Sequence, residues 1–415
     1  MVSFARECME PLVFFLVTST LCYNLGMQNE ERKLQKNVFM LGLTSFFTDL
    51  SSEMIFPVLP IFLTSVLGAN MAVIGLIEGV AESAATILKL VSGWISDKFG
   101  KKKPLIVMGY SFSAVTKPLL ALTTHWWQVL VIRIADRVGK GIRTAPRDSL
   151  IAASVPQKKM GAKFGLHRAM DTAGAVVGTL VSFLILQRYL GDAFKIIFLL
   201  SAIPGVIAVS VLVFGVKDAP KKTESGKLSF NFSACDPALK RFLWAIAFFN
   251  LANFSYAFFI LRANDIGLAV YLIPLVYLVY NIVYAALSIP IGRLSDRIGR
   301  KMILVAGILL FGLTSLGFGF VANTLTIWGL FALYGLFMAV TDGVSRAYVS
   351  DLTATNKRGL ALGTYHAIVG ITVLPANFIG GVLWHSINVQ APFIYAAVLS
   401  AVSALLLIFY VKGAR

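Results

Sequence analysis

The chain has 415 residues, 57% of them hydrophobic and only 14% charged, with 31 Phe and 34 Gly. Soluble domains carry roughly 25% charged residues, so a soluble fold is excluded, and the Phe and Gly surplus fits lipid-facing surface and close helix packing. The formal charge of +17 would suggest nucleic acid in a soluble protein. Here the basic residues gather in loops on one side of a membrane, and no nucleic-acid partner is expected.

From the N-terminus, residues 1–36 fit poorly. Pro11–Met27 is an apolar run of about 17 residues, at the short limit for a span. It has one upstream Arg and no clear small-residue cleavage site, so it reads weakly as a signal peptide. Residues 1–26 are expected to be an extension outside the fold, with an extra helix as the alternative, and polar Asn29–Asn37 as the cytoplasmic start. Twelve apolar runs follow, predicting helices over 38–66, 71–95, 104–124, 127–151, 163–188 and 194–215, then 242–262, 267–291, 302–321, 326–350, 359–384 and 391–411. Polar Lys217–Lys240 separates them, so the expected division is an extension over 1–36, a bundle over 37–216, a cytoplasmic linker over 217–241 and a bundle over 242–415.

Lys and Arg set the orientation. One side collects Lys98, Lys101–Lys103, Lys158, Lys159, Lys217, Lys221, Lys222, Arg293, Arg297, Arg300, Lys301, Lys357, Arg358 and Lys412. The other has little beyond Arg188, Lys195 and Arg262. Both ends of the fold are therefore expected in the cytoplasm.

Two loops on the basic side repeat one pattern. Gly93-Trp94-Ile95-Ser96-Asp97-Lys98-Phe99-Gly100-Lys101-Lys102 returns as Gly292-Arg293-Leu294-Ser295-Asp296-Arg297-Ile298-Gly299-Arg300-Lys301, roughly 200 residues later. Both read as G-x-x-x-D-[KR]-x-G-[KR]-K, as short charged hairpins between apolar runs. Gly161-x-x-x-Gly165 and Gly359-x-x-x-Gly363 form a second repeat, each followed by a histidine, His167 and His366. Duplication of a membrane bundle follows. The loop pattern resembles the signature of the major facilitator superfamily, over about residue 37 to the end. That resemblance implies an all-α membrane protein: twelve helices in two pseudo-symmetric six-helix bundles, with a central site reached alternately from each side. It also implies gating by the loops, at Gly93, Asp97, Gly100 and Lys101 and at Gly292, Asp296, Arg297, Gly299 and Arg300.

Charge inside hydrocarbon is costly, so each such residue is a functional candidate. The fourth helix carries Arg133, Asp136, Arg137, Lys140, Arg143, Arg147 and Asp148, five bases against two acids. At 100° per residue they fall within an arc of roughly 140°, which must face a watery centre or acids on other helices. Arg143, Arg147 and Asp148 also suit a plain anchoring role at the cytoplasmic end. Superfamily fourth helices often read R-x-x-Q-G-x-G, and Asp136 and Arg137 depart from that. Asp49 and Glu53 are one turn apart on the first helix, Glu78 and Glu82 on the second. Depth counting brings Asp49, Glu53 and Glu82 near Arg133 and Arg137. Proton exchange at these acids, with Asp136 and Asp171, would couple transport; a static salt-bridge cluster is the plainer alternative. On the fifth helix Gly165, Gly174 and Gly178 match part of the superfamily antiporter pattern, but Thr179 stands where a Pro is common.

The second half is quieter. Asn250, Asn253, Tyr256, Tyr277, Tyr280 and Asn281 suit a polar, aromatic wall, and Asp342 pairs with Arg346 one turn away. Cys8, Cys22 and Cys235 lack metal or redox spacing, so no metal site is expected. No nucleotide loop, His-Glu-x-x-His or Gly-x-Ser-x-Gly occurs, so no cofactor and no enzymatic activity are expected. The expectation is a monomeric, proton-coupled transporter of the bacterial inner membrane, with protons, lipid and a small solute as partners. The basic face points to an anionic or zwitterionic solute, such as a carboxylate metabolite or carboxylate siderophore, held by Arg133, Arg137 and Lys140 with Asn250 and Asn253. Multidrug efflux by proton antiport is the runner-up, with the acids as binding groups; a non-transporting sensor is the third reading.

Overall fold

A computed structural model describes residues 29–99, 102–154, 160–189, 191–218, 236–354 and 357–411. Residues 1–26, Gly100, Lys101 and most of the linker lie outside the described residues, as does the side chain of Asp97. Everything described that is regular is helical. In the first half the helices are α1 (Asn29–Ile55), α2 (Leu59–Ser65), α3 (Met71–Phe99), α4 (Lys103–Thr116), α5 (Trp126–Ala153), α6 (Met160–Arg188), α7 (Ala193–Leu200) and α8 (Ala202–Gly215). The second half has α9 (Pro237–Ala252), α10 (Tyr256–Asp265), α11 (Ile273–Ile298), α12 (Arg300–Phe320), α13 (Thr324–Asp351), α14 (Arg358–Ser386) and α15 (Ala391–Leu405).

Among the described residues, 11 helical runs are long and apolar enough to cross a membrane. In hydrocarbon every backbone polar group needs an internal partner, which is why such runs are helical. The twelfth span is α5, 28 residues long, whose charges keep it out of an apolar count. Prolines start several spans where the missing N–H costs nothing, as in α4, α9, α11 and α15.

Three predicted helices are interrupted, the sixth only at Ser201, between α7 and α8. The first span breaks after Ile55 and restarts at Leu59, because Pro57 has no N–H to continue the ladder. The seventh breaks over Asn253–Ser255, where Ser255 starts α10 by accepting from the Ala257 N–H at 3.3 Å. The first helix also begins at Asn29, earlier than its apolar run suggests. The two signature stretches are less loop than expected. Gly93–Phe99 ends α3 and Gly292–Ile298 ends α11, so the hairpin of the second copy turns at Gly299, whose φ of 98° suits glycine alone.

The first half packs α1 on α6, α3 on α5 and α4 on α5; the second packs α11 on α13 and α12 on α13 and α15. Within a half, lysines near the signature loops tie the last span to the third. Lys103 Nζ donates to the carbonyls of Val213 and Val216 at 2.8 and 2.6 Å. Lys301 Nζ does the same at Ile408 and Val411, at 3.0 and 2.7 Å. These carbonyls close helix C-termini, which favour a cation. The halves meet along α3 and α14 and along α6 and α11, with α2 against α10. Gly79 permits the first seam: a Cβ there would lie 3.0 Å from the Leu374 backbone. Ser83 Oγ donates to the Gly370 carbonyl across it at 2.7 Å.

Candidate functional site

Two bases of the charged arc of α5 turn toward α3. Arg133 meets Glu78 at 2.7 Å and Arg137 meets Glu82 at 3.1 Å. The side chains of Arg133, Arg137 and Glu78 are sealed, at 2%, 2% and 3% exposure, while Glu82 stays 35% exposed. Phe56, beside the Pro57 break, lies under both guanidinium groups at 5.1 and 4.5 Å from its ring centroid. Arginine suits this site because its planar cation stacks on an aromatic face while its edge binds a carboxylate. Depth counting anticipated Glu82 beside Arg137. It did not anticipate Glu78 beside Arg133, and Phe56 carried no signal beyond its place before a proline.

Asp49 and Glu53 are therefore left over. Both are half-buried on α1, and neither makes an ion pair among the described residues. Glu53 Oε2 is buried without a hydrogen-bond partner, and the carboxyl approaches Tyr277 of α11 in the other half. Asp49 lies within electrostatic reach of Asp171 on α6 and of Lys140. Lys140 is exposed although it sits midway along α5, and it too has no ion pair among the described residues. Asp136 is buried elsewhere, toward Lys117, whose ammonium donates to Ser51 Oγ at 3.3 Å.

Nearer the signature loops, Arg143 donates to Ser113 Oγ at 2.7 Å and lies over the Tyr110 ring at 4.4 Å. Arg147 meets Asp148 at 2.9 Å and donates to Ser45 Oγ at 3.2 Å. Ser45 also shares a 2.9 Å hydrogen bond with His167 Nε2, and the other ring nitrogen is 3.6 Å from Asp171. Sequence reasoning singled out Arg147, Asp148, His167 and Asp171 but not the residues that join them, because Ser45 and Tyr110 are ordinary in apolar runs.

A cavity of about 640 Å³ opens beside this network. Its walls are the signature-loop ends of α5 and α6 on one side and of α11, α12 and α13 on the other, including Arg147, His167, Arg168, Asp171, Asp296, Arg300, Asp342 and Arg346. A thread spans it: Arg168 donates to the Tyr284 hydroxyl at 3.4 Å, which donates to Asp342 at 2.8 Å. Arg346 pairs with Asp342 at 2.8 Å. At the opposite end α2 packs on α10, and Phe183 of α6 meets Tyr271 at 6.3 Å between ring centroids.

Of the loop residues, Asp296 pairs with Arg300 at 2.8 Å, and Arg300 also meets Asp351 at 2.5 Å and the Ala347 carbonyl at 3.0 Å. Arg297 is exposed, and Gly93 lies against Ala145 of α5. Asn250 is buried with its Nδ2 unpartnered, and Asn253 sits in the break between α9 and α10. The tyrosines of α11 form a ladder: Tyr277 to Tyr280 at 5.4 Å and Tyr280 stacked on Tyr284 at 6.3 Å, with Tyr256 on Tyr277 at 5.2 Å. No group of three metal-ligating side chains occurs among the described residues.

Two bundles of six spans, internal charge and a cavity between the halves define a membrane-transporter architecture. The chain belongs to the Major Facilitator Superfamily, whose family model matches residues 41–261 and 242–415. It is 43% identical over 395 residues to an uncharacterized MFS-type transporter, MJ1317, of Methanocaldococcus jannaschii, covering 93% of this chain and 98% of that one. It is 23% identical to the multidrug resistance protein MdtH of Photorhabdus laumondii, over 82% of this chain and 84% of that one. Among solved structures, the nucleoside transporter NupG superposes with a TM-score of 0.77 at 15% identity, over 90% of this chain and 100% of that one. A bacterial homologue of the human lysosomal transporter Spinster, inward-facing and occupied, gives 0.72 at 13% identity, over 92% and 97%. The protein is thus a multi-pass membrane transporter of this superfamily, acting on small molecules.

Proposed function

We propose that the protein is a proton-coupled secondary transporter in which Asp49 and Glu53 exchange the proton and meet the cargo. One observation carries this reading. They are mid-span carboxylates without an ion pair among the described residues, while Arg133 and Arg137 already hold Glu78 and Glu82. An unpaired carboxylate in a low-dielectric site is the group for which taking up a proton or a cation changes the energy most. Glu53 stands opposite the α11 tyrosine ladder, at Tyr277, and aromatic faces favour cations. The cargo therefore carries a positive charge, zwitterions included. The multidrug name of the MdtH relative agrees with efflux of such a solute.

A second reading, transport of an organic anion, keeps one support. Lys140 is exposed and free of ion pairs among the described residues, and Glu82 is open enough to yield Arg137. In either case the signature loops face the cytoplasm of a cell whose inner membrane holds the protein as a monomer. The halves divide within 217–241 and rock about the centre, with Asp97 and Asp296 steadying the closed state.

Everted vesicles with an acid interior and a pH-reporting dye test this. A panel of organic cations, zwitterions and carboxylates is added. The expected result is a proton response to positively charged solutes that is lost in Asp49→Asn and survives in Lys140→Gln. A response confined to carboxylates and lost in Lys140→Gln would establish the anion reading instead.

A further inference from the structure

The break in the seventh span has a use that neither the cargo nor the proton explains. Ser255 stands at it, between α9 and α10. Its backbone N–H donates to Asn377 Oδ1 of α14 at 2.7 Å, and the Asn377 amide is itself held by the Val373 carbonyl at 2.9 Å. The C-terminal half thus fixes Ser255 from one side. On the other side the Ser255 hydroxyl crosses to the N-terminal half and donates to Glu78 Oε2 at 3.2 Å. The second oxygen of that carboxylate is the one on Arg133, at 2.7 Å. From Ser255, α10 runs toward the end where it packs on α2, away from the signature loops. Glu78 is therefore shared by the central ion pair and by the helix that closes the far side.

We propose that Ser255 is a positioning residue that couples the Arg133–Glu78 pair to closure of the face away from the signature loops. While Arg133 orients Glu78, its free oxygen holds α10 against the N-terminal half. When Arg133 is drawn off, the carboxylate turns with it, the Ser255 bond breaks and α10 is released from α2. A hydrogen bond is lost over a movement of about 1 Å, because its energy falls steeply beyond ordinary distance and angle. A small change at the ion pair therefore becomes a change in which side is closed.

Phe183 and Tyr271 face each other across the halves at that end, so Phe183→Cys with Tyr271→Cys reports closure by the rate of oxidative cross-linking, in a background with Cys8, Cys22 and Cys235 replaced by serine. Ser255→Ala is expected to slow cross-linking about tenfold, the worth of a hydrogen bond to a charged acceptor, and Ser255→Thr to restore it. Glu78→Gln should slow it by itself and add little to Ser255→Ala, since both remove one interaction. Loss of the α10 cap alone would instead add fully. Ser255→Asp keeps a strong cap but sets a second carboxylate against Glu78, and should slow cross-linking most. Wild-type rates in Ser255→Ala or Ser255→Asp, or additivity with Glu78→Gln, would overturn the proposal. The readout needs neither cargo nor proton gradient, so it stands or falls apart from the transport assay.

Discussion

The two halves share a topology and solve the same packing problem with different chemistry. In the first half Glu78, Lys117, Arg133, Asp136, Arg137, Arg143 and Asp171 are buried; among the described residues of the second, Arg262 is the buried charge. Arg262 pairs with Asp265 and donates to the Phe318, Gly319 and Val321 carbonyls, where it closes the end of α12. The second half is instead built on rings. Phe259 alone contacts Phe254, Phe311, Phe318, Tyr334 and Phe393 at centroid distances of 4.7 to 6.3 Å. Ion pairs in hydrocarbon are unforgiving, because removing one partner strands the other, whereas a ring cluster loses contacts gradually. The contrast suggests a division of labour in which one half carries reactive charge and the other offers a firm aromatic wall.

Unpairing a buried charge should have the largest effect. Arg133→Ala leaves Glu78 sealed and uncompensated, and should cost about 3–5 kcal/mol, the usual penalty for one partner of a buried pair. Thermal unfolding in detergent should show the loss, and Arg133→Met combined with Glu78→Leu should recover most of it. If the double variant is no better than the single, the pair supplies net stability and the comparison is wrong. A ring change in the second half should do less. Phe259→Leu keeps an apolar side chain of nearly the same reach and should cost about 1–2 kcal/mol, through lost ring contacts and a small void. A loss equal to that of Arg133→Ala would mean the aromatic cluster is as intolerant as the ion pairs.

The fold was legible because hydrocarbon leaves little choice. Twelve long spans, the duplicated loop and the two-bundle architecture all follow from apolar length and from G-x-x-x-D-[KR]-x-G-[KR]-K repeated. What depends on one side chain meeting another across helices was less legible. Helical period placed Arg133 and Arg137 on one face, but choosing Glu78 over Asp49 or Glu53 for Arg133 needs the rotation of α3 against α5, which composition does not carry. The breaks at Pro57 and Ser255 were similarly hidden, since both lie inside continuous apolar runs. A proline with a kink, or a serine able to cap, is a signal only once neighbouring helices are placed. The contacts of Ser45, Tyr110 and Asn377 join residues far apart in sequence, so nothing local marks them.

Tyr284 offers the mildest test, at a place where a single side chain joins the charged half to the aromatic half. Its ring stacks on Tyr280 with planes 11° apart and lies 5.8 Å from the Arg168 guanidinium, while its hydroxyl joins Arg168 to Asp342. Tyr284→Phe keeps the ring and removes the hydroxyl. Arg168 is exposed and Asp342 half-buried beside a cavity, so water replaces the lost partner and the cost should be only about 0.5–1 kcal/mol. The larger consequence is conformational. With the thread cut, the halves should separate more readily at the signature loops, and a cysteine at Ser288, in the cavity wall, should react several-fold faster with a hydrophilic maleimide. Unchanged labelling would mean that the stacked ring, not the hydroxyl, holds the halves together there, and that the aromatic half reaches further into the gate than its hydrogen bonds suggest.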